Sequence, residues 1–353
     1  MNYEQELKDL LGTVTMEGGS DLHLSEGRHP TIRVNGILIP MVKKPILTHE
    51  DIDSLLNLMI NDDSRKRFLD NKELDFSYQF SPDARFRGNA YIQRGAHTIA
   101  LRLIQNKIKS LKELGLPEVL ESFTRMKQGF FLVVGPVGQG KSTTLASMVE
   151  LINQERAEHI ITIEDPIEYL YEQKKSIIDQ REIHVDTDSF ENALTSVLRQ
   201  DVNVILLGEM RNPETMSAAV TAAETGHLVL STLHTNNAAQ TIDRIIDSFP
   251  SNQQEQIRIQ LASSLTGIFS QRLIPKISGG MVPAFELMIS NSATANLIRE
   301  KRSYEINTVI ETGMSDGMID MNRSLAELVR RGEITIESAY QHSLNPKNLE
   351  RLV

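Results

Sequence analysis

The chain has 353 residues and a formal net charge of −10 at pH 7. Its length predicts about two domains, and its acidic balance argues against a general surface for binding nucleic acid or another polyanion. Cysteine is absent, which excludes disulfides and thiolate zinc sites. The N-terminus lacks the pattern of a signal peptide, and no apolar run approaches the ~20 residues that span a bilayer. We therefore expect a cytoplasmic protein.

Residues 1–104 are predicted to form a small α+β domain with an antiparallel sheet. Helices are expected at 3–16 and 48–60, the second with Thr48 and acidic residues at its start. Alternation of apolar and polar residues predicts strands at 20–25, 31–40, 74–80 and 84–104, with turns at Pro82–Asp83 and Gly95.

Residues 105–118 are polar, basic and end in Gly-Leu-Pro, which favours an interdomain linker. Beyond it, apolar strands alternate with helical segments. This pattern predicts a parallel α/β sheet in a core at 119–270. Its strands are expected at 129–136, 159–165, 203–209 and 227–235. From about residue 236 the chain is predicted to be mainly helical, including 252–274, and 271–353 is predicted to be a helical C-terminal region.

A glycine-rich segment follows the strand at 129–136 and precedes a predicted helix. It fits the phosphate-loop pattern G-x-x-x-x-G-K-[ST], and its residues are Gly135, Pro136, Val137, Gly138, Gln139, Gly140, Lys141, Ser142 and Thr143. Its backbone N–H groups would bind phosphate at the helix N-terminus, Lys141 would reach the β- and γ-phosphates, and the Ser142 hydroxyl would bind Mg²⁺. A plain glycine turn is the alternative, but the strand and helix around the loop favour a nucleotide site. Gln139 is expected to contribute mainly its backbone.

Acidic residues stand at the ends of two further predicted strands. Glu209 closes one, and Glu164, Asp165 and Glu168 follow another. The carboxyl ends of parallel strands form the ligand crevice of such sheets. Glu209 therefore has the position of a metal-organising acid, and as a glutamate it is expected to hold Mg²⁺ through water.

Four segments together resemble the secretion-type hexameric ATPases, the superfamily that drives type II secretion and type IV pili. They are the phosphate loop and segments 162–169, 198–215 and 221–235. Within this superfamily the chain is most similar to the pilus retraction ATPases. Segments 19–27, 84–93 and 241–250 extend the resemblance over essentially the full length.

This resemblance implies a PAS-like N-terminal domain, a RecA-like ATPase domain and a helical C-terminal tail. It also implies a homohexamer that uses ATP and Mg²⁺ to retract pili by removing pilin subunits. The implied partners are an inner-membrane pilus platform protein, the pilus machinery and a paralogous retraction-type ATPase, with no stable nucleic-acid binding. The implied location is cytoplasmic, peripheral to the inner membrane at the pilus base.

The resemblance also assigns roles to individual side chains. Nucleotide would lie between the two domains, and arginines from a neighbouring part of the ring would stabilise charge on the transferred phosphoryl group. Arg85 and Arg87 are the main candidates, and Arg94 and Arg102 are weaker ones. Glu168 is favoured as the base that activates water, with Glu164 as the alternative.

His227 and His234 flank the last predicted strand. They provide too few ligands for a metal site. Either both are core histidines, or, as the resemblance implies, one lies near the γ-phosphate and the other connects the strand to a neighbouring domain. Under the second hypothesis both contribute to catalysis or its coupling.

Two departures from the family pattern stand out. Val202–Asn203 replaces the usual Pro–Asp, and Ala295 replaces an arginine in a segment typical of retraction ATPases. We expect the second to alter coupling rather than hydrolysis. The start of the chain at the PAS-like part, together with the lack of cysteine, favours retraction over extension or secretion. An accessory or assembly motor remains an alternative, as do a low-turnover nucleotide-binding regulator, a small-molecule kinase and a nucleic-acid translocase.

Overall fold

The computed structural model describes residues 2–81, 84–104 and 108–353. The turn predicted at Pro82–Asp83 and the first three residues of the predicted linker lie outside the described residues. The chain forms two compact units: Met1–Lys107 with Pro166–Leu170, and Ile108–Asp165 with Tyr171–Val353. Across the described ranges, no helix is both long and apolar enough to cross a membrane.

The first unit is built on a six-stranded antiparallel sheet with three helices. Its strands are β1 (Asp21–Ser25), β2 (Thr31–Val34), β3 (Ile37–Pro40), β4 (Glu73–Ser81), β5 (Ala84–Gln93) and β6 (Ala96–Ile104). Its helices are α1 (Tyr3–Met16), α2 (His49–Met59) and α3 (Asp62–Asn71). The sheet order is β3-β2-β1-β6-β5-β4, which confirms the predicted α+β architecture.

Local sequence signals explain several boundaries of the first unit. Thr48 caps α2 in a capping box with Asp51, as the acidic start of that helix predicted. The predicted strand at 31–40 is instead two strands, because Asn35 and Gly36 have φ angles of 50° and 82°. Asn-Gly tolerates these left-handed conformations and favours the two-residue turn of a hairpin.

The second unit contains a seven-stranded sheet. Its strands are β7 (Gly129–Val134), β8 (His159–Glu164), β9 (Ile177–Glu182), β10 (Val204–Leu207), β11 (Leu228–Leu233), β12 (Leu265–Pro275) and β13 (Met281–Ile289). The order is β13-β12-β7-β11-β10-β8-β9. Strand β13 is antiparallel to β12, and all other neighbours are parallel. The carboxyl ends of β7, β8, β10 and β11 therefore share one edge.

Helices cover both faces of this sheet. They are α4 (Leu120–Thr124), α5 (Lys141–Glu155), α6 (Phe190–Val197), α7 (Pro213–Glu224), α8 (Ala238–Asp247), α9 (Gln254–Ser264), α10 (Ser292–Arg299), α11 (Ile306–Thr312), α12 (Met321–Arg330), α13 (Ile336–His342) and α14 (Pro346–Leu349). Phe130 and Leu132 of β7 belong to one buried cluster, and Phe131 and Val133 to another. The continuous apolar run at 129–134 thus fills two cores, one on each face.

The prediction of helix throughout 252–274 is wrong in its second half. Helix α9 ends at Ser264, and β12 runs from Leu265 to Pro275. The region 271–353 also contains β13, so it is not helical throughout. Most residues of β12 are buried, and a strand buried on both faces lacks the alternation of polar and apolar residues that would distinguish it from a helix.

The described part of the predicted linker packs into the second unit. Leu111 and Leu116 lie in the same buried cluster as Phe131, and Ser147 Oγ donates a hydrogen bond to the carbonyl of Lys109. Residues 108–118 are therefore an ordered part of the second unit. Their polar composition concealed two leucines that supply buried apolar surface.

Candidate nucleotide site

The glycine loop occupies the turn from β7 into α5. Gly135, Gly138 and Gly140 have φ angles of 147°, 77° and 80°, which favour glycine. A Cβ atom on Gly135 would lie 2.4 Å from the carbonyl oxygen of Gln271. The loop therefore passes too close to β12 for a side chain, and its last glycine caps the first turn of α5.

Lys141, the first residue of α5, folds back over this loop. Its Nζ donates hydrogen bonds to the carbonyls of Gly135 and Pro136, each at 2.9 Å. Nζ also lies 3.3 Å from Nδ1 of His234. The side chain is buried, so a cation is fixed beside the backbone amides at a helix N-terminus, an arrangement that attracts phosphate.

His234 connects the lysine to the predicted acid. It directly follows β11, and its Nε2 lies 3.7 Å from Oε2 of Glu209, just beyond β10. Glu209 also pairs with Arg211, whose guanidinium lies 3.8 Å from Asp165. Lys141, His234 and Glu209, predicted from three separate segments, thus meet at the carboxyl edge of the sheet.

Glu164 is the last residue of β8 and is buried. Its Oε1 accepts hydrogen bonds from Oγ1 of Thr162 at 2.7 Å and from Nε2 of Gln180 at 3.2 Å. One carboxylate oxygen is therefore held by two neutral donors, which fixes its orientation. Thr162 and Gln180 were not predicted to take part in the site.

Glu168 belongs to the first unit, although it stands only four residues after Glu164. It forms an ion pair with Arg87 at 3.7 Å, and both side chains are about two-fifths exposed. Together with Asp21 and Arg102 they line a cleft of about 530 Å³ in that unit. The structure thus divides the predicted acidic segment between the two units.

The other candidate arginines lie on the same sheet. Arg85 donates hydrogen bonds to Oγ of Ser77 and to Oε1 of Gln79, at 2.5 and 3.3 Å. Arg102 pairs with Asp21 at 2.9 Å. Arg94 has a φ of 51° and lies between β5 and β6. Arg87 and Arg102 are register partners on neighbouring strands.

His227 lies at the opposite edge of the second sheet from His234. It precedes β11, and its Nδ1 lies 2.9 Å from the carbonyl of Ala222 at the end of α7. Its own carbonyl accepts a hydrogen bond from the N–H of Gly129, the first residue of β7. The six residues of β11 separate the two histidines, so His227 does not join the cluster around Lys141.

The side chains of two glutamines were not predicted to contribute to the site. Gln139 was expected to contribute mainly its backbone, but the Oε1 of its side chain accepts a hydrogen bond from the N–H of Leu273 at 2.7 Å. Gln271 is buried and contacts the loop from β12. No sequence motif marks Gln271, because it lies more than 130 residues from the loop residue that it binds.

The side chains present fit the expected Mg²⁺. Ser142 is exposed in the first turn of α5, and Glu209 supplies a carboxylate at the same sheet edge. Hydroxyl and carboxylate oxygens are the donors that Mg²⁺ prefers, and it retains several waters when bound with phosphates. Oε1 of Glu209 pairs with Arg211, and Oε2 lies 3.7 Å from Nε2 of His234.

A largely parallel sheet, a glycine loop followed by a helix, and a lysine held over that loop define a P-loop nucleotide-binding core. Residues 2–341 match the family described as Type II/IV secretion system protein. The chain belongs to this family.

Relatives match over nearly the whole chain. It is 44% identical over 343 residues to the type IV pilus retraction ATPase PilT of Pseudomonas aeruginosa, covering 97% of this chain and 99% of that one. It is 45% identical over 321 residues to a twitching motility protein of Neisseria gonorrhoeae, covering 91% and 86%. A crystal structure of the pilus retraction motor PilT with bound ADP matches with a TM-score of 0.91 and 46% identity over 98% of each chain.

Proposed function

We propose that this chain is an ATP-driven motor that powers type IV pilus retraction by removing pilin subunits, and hence twitching motility. The meeting of Lys141, His234 and Glu209 at the phosphate loop carries the proposal, since it links nucleotide binding to a group able to respond to the γ-phosphate. The full-length relatives, named for retraction and twitching, support this choice among secretion-type motors.

Binding rests on the loop from Gly135 to Thr143. Backbone amides at the start of α5 and the ammonium of Lys141 bind the phosphates, for which Lys141 exchanges its carbonyl partners. Ser142 would hold Mg²⁺ directly and Glu209 would hold it through water, and the ion would neutralise charge on the β- and γ-phosphates.

Hydrolysis also requires a base and a group that stabilises developing charge. Glu168 is the better base, because Glu164 has one oxygen held by Thr162 and Gln180 and is buried. Arg87 and Arg85 act as arginine fingers towards the nucleotide of a neighbouring subunit. Before Glu168 acts, it must separate from Arg87. Breaking this ion pair costs little free energy, because both side chains are partly exposed to solvent.

His234 reports the state of the γ-phosphate. Its ring lies between a lysine that binds phosphate and a carboxylate that organises the metal, so loss of the γ-phosphate changes the charges on both sides of the imidazole. His227, at the other end of β11, transmits this change to a neighbouring domain rather than acting on nucleotide. Both histidines thus serve turnover, one at the site and one through coupling.

The assembly in this proposal is a homohexamer at the cytoplasmic face of the inner membrane. It acts on a pilus platform protein and the rest of the pilus machinery, together with a paralogous, PilU-like ATPase, and does not bind nucleic acid stably. Replacement of the family arginine by Ala295, which lies on the buried side of α10 in the main core, affects coupling rather than hydrolysis.

Deletion of the gene in a pilus-bearing host tests the motor proposal. We expect surface pili that no longer retract, full rescue by the wild-type gene, and no rescue by Lys141→Ala. Lys127→Ala is the matched control, because Lys127 is exposed outside the loop. Loss of pili altogether would indicate an assembly motor instead, and rescue by Lys141→Ala would refute ATP-driven retraction.

Phosphate release by the purified protein separates a motor from a low-turnover regulator. Glu168→Gln is expected to reduce kcat about 100-fold or more, in the range for loss of a general base. Glu164→Gln retains the hydrogen-bonding shape and is expected to reduce kcat less. The reverse order would make Glu164 the base.

A further inference from the structure

Strand β12 carries three consecutive polar residues beside the nucleotide site: Ser270, Gln271 and Arg272. The strand is hydrogen-bonded to β7, which leads directly into the phosphate loop. Successive side chains of a strand point to opposite faces of the sheet. Gln271 therefore faces one side, and Ser270 and Arg272 face the other.

On the first side, Gln271 binds the phosphate loop and the helix that follows it. Its Nε2 donates a hydrogen bond to the carbonyl of Gln139 at 2.8 Å, and its Oε1 accepts one from Oγ1 of Thr144 at 2.6 Å. The side chain is buried, with 3% of its surface exposed. The side-chain amide of Gln271 thus binds one residue of the phosphate loop, Gln139, and one residue of α5, Thr144.

On the second side, β12 holds the turn that carries His234. Oγ of Ser270 donates a hydrogen bond to the carbonyl of Asn236 at 2.8 Å, and Nη2 of Arg272 donates one to Oδ1 of Asn236 at 3.1 Å. Asn236 lies two residues after His234, between β11 and α8. The position of the histidine is therefore set from β12 as well as from its own strand.

Glu286 on β13 completes this support. It is the register partner of Ser270, and its Oε1 accepts a hydrogen bond from the N–H of Ala238, the first residue of α8, at 2.9 Å. Arg272, Ser270 and Glu286 together hold the segment from Asn236 to Ala238 at three points. A connecting turn held at fewer points would have more conformational freedom.

We propose that Gln271 and Arg272 are positioning residues of the ATPase reaction with separate tasks. Gln271 holds the phosphate loop in the conformation that binds nucleotide, and Arg272 holds the turn that places His234. Gln271 and Arg272 are adjacent on β12. A shift of the phosphate loop is therefore transmitted through the strand to the turn that places His234, and a shift of that turn is transmitted to the loop. The proposal rests on contacts within the second unit that do not involve Glu164 or Glu168, so it stands apart from the assignment of the base.

The test separates the two tasks by steady-state kinetics of the purified full-length protein. Gln271→Met keeps the size of the side chain and removes both hydrogen bonds. We expect it to raise the KM for ATP and the Kd for ADP about tenfold, with kcat changed less than about twofold, as follows from losing pre-organisation of the binding loop. Arg272→Met is expected to lower kcat about tenfold with KM changed less than about twofold, as for an interaction made in the transition state.

Matched controls are Gln260→Met and Arg125→Met. Gln260 binds Glu224 near the opposite edge of the sheet, and Arg125 is exposed after α4, so neither change should alter KM or kcat. Thr144→Val is a milder second probe that removes one of the Gln271 hydrogen bonds, and it should raise KM in the same direction if Gln271→Met does not fold. The proposal is overturned if folded Gln271 and Thr144 variants keep the wild-type KM, or if both strand variants change KM and kcat in equal proportion.

Discussion

At the scale of single residues, the two histidines of β11 differ by position rather than by chemistry. His234 lies between Lys141 and Glu209, whereas His227 contacts the carbonyl of Ala222 at the other end of the strand. We therefore expect His234, beside Lys141, to respond to the charge of bound nucleotide. We expect His227, which contacts the end of α7, to respond to movement of that helix.

His234→Ala is expected to lower kcat about 10- to 100-fold and to change the KM for ATP far less, because its contacts matter after binding. His227→Ala should leave nucleotide affinity at the wild-type value and reduce twitching motility. ATPase assays, ADP titration and motility measurements on both variants check this. Wild-type turnover and motility in both would return the pair to a core-packing role.

Glu286 is a second residue whose burial has a measurable consequence. Burial raises its pKa from the ordinary 4.5 to about 7, against the opposing effects of the Ala238 N–H and Arg272, with Asp320 adding to the increase. Between these two values the folded chain keeps a proton that the unfolded chain has released. This group therefore costs stability as pH rises from 4.5 to about 7, and the cost is constant above that.

Glu286→Gln removes this titration and keeps an oxygen that can accept the Ala238 hydrogen bond. The stability of the variant relative to wild type should increase with pH over that window, by up to about 3 kcal/mol from the size of the shift. Urea unfolding at pH 5, 6, 7 and 8 measures the difference. Glu337→Gln, at an exposed site on α13, is the control and should show no such rise. A constant difference at all four pH values would contradict the prediction.

At the scale of elements, β12 is the strand on which the site depends most, and it is tightly packed at its start. The register between β12 and β7 shifts from Leu265 to Gly267. A Cβ atom on Gly267 would lie 2.8 Å from the ring of Phe123 and 3.0 Å from the carbonyl of Met288. The absence of a side chain here lets the strand pass between a buried ring and β13.

Gly267→Ala is expected to destabilise the protein by about 1–3 kcal/mol, because the buried ring and backbone must move to admit one methyl group. Gly12→Ala is the matched control. Gly12 lies in the interior of α1, and a Cβ atom on it would lie 3.9 Å from Phe80. Alanine at this helical position should stabilise the protein by about 0.5–1 kcal/mol. Thermal and denaturant unfolding of the two variants measure both signs. Equal effects would show that the packing around Phe123 accommodates a methyl group.

The sequence predicted those elements whose patterns are local. The phosphate loop, β7 and the Thr48 cap each depend on neighbouring residues, and all are found where expected. Strands β12 and β13 were missed because strands buried on both faces do not alternate, and β9 was missed because its sequence, IIDQRE, is mostly polar.

The residues of the site were also predictable only where they depend on a local sequence pattern. Lys141, Glu209 and His234 follow from strand ends, because parallel strands bring such ends together. The contact between Gln271 and Thr144 joins residues 127 apart, and the ion pair between Arg87 and Glu168 depends on a short segment that leaves one unit for the other. Neither is encoded by a local pattern.

At the scale of the whole molecule, the proposed arginine fingers require a ring. Arg87 of one subunit would act on nucleotide bound at the phosphate loop of its neighbour. A subunit lacking Arg87 can still bind nucleotide but cannot supply the arginine, whereas a subunit lacking Lys141 can supply the arginine but binds nucleotide poorly. A mixed ring contains some interfaces with both residues intact. Such interfaces are absent from a ring of either variant alone.

Co-expression of Arg87→Ala and Lys141→Ala subunits is therefore expected to yield rings with more ATPase activity than either variant by itself. Two affinity tags isolate the mixed rings, and phosphate release measures their activity. Mixing Lys141→Ala with the Arg87→Ala/Lys141→Ala double variant is the control, and it should restore nothing. Activity no greater than the weighted sum of the single variants would place the arginine and the lysine at the same subunit's site, or outside the reaction.

The division of the chain at residues 166–170 also bears on how such a protein can evolve. The backbone passes between the two units three times, after Lys107, after Asp165 and after Leu170. A recombination break within 105–107 would replace most of the first unit, including Arg87, with the sequence of another gene. Glu168 would still come from the original gene, so the two members of this ion pair would have different origins. We therefore expect that exchange of one unit alone requires a compensating change in residues 166–170, which are encoded within the sequence of the other.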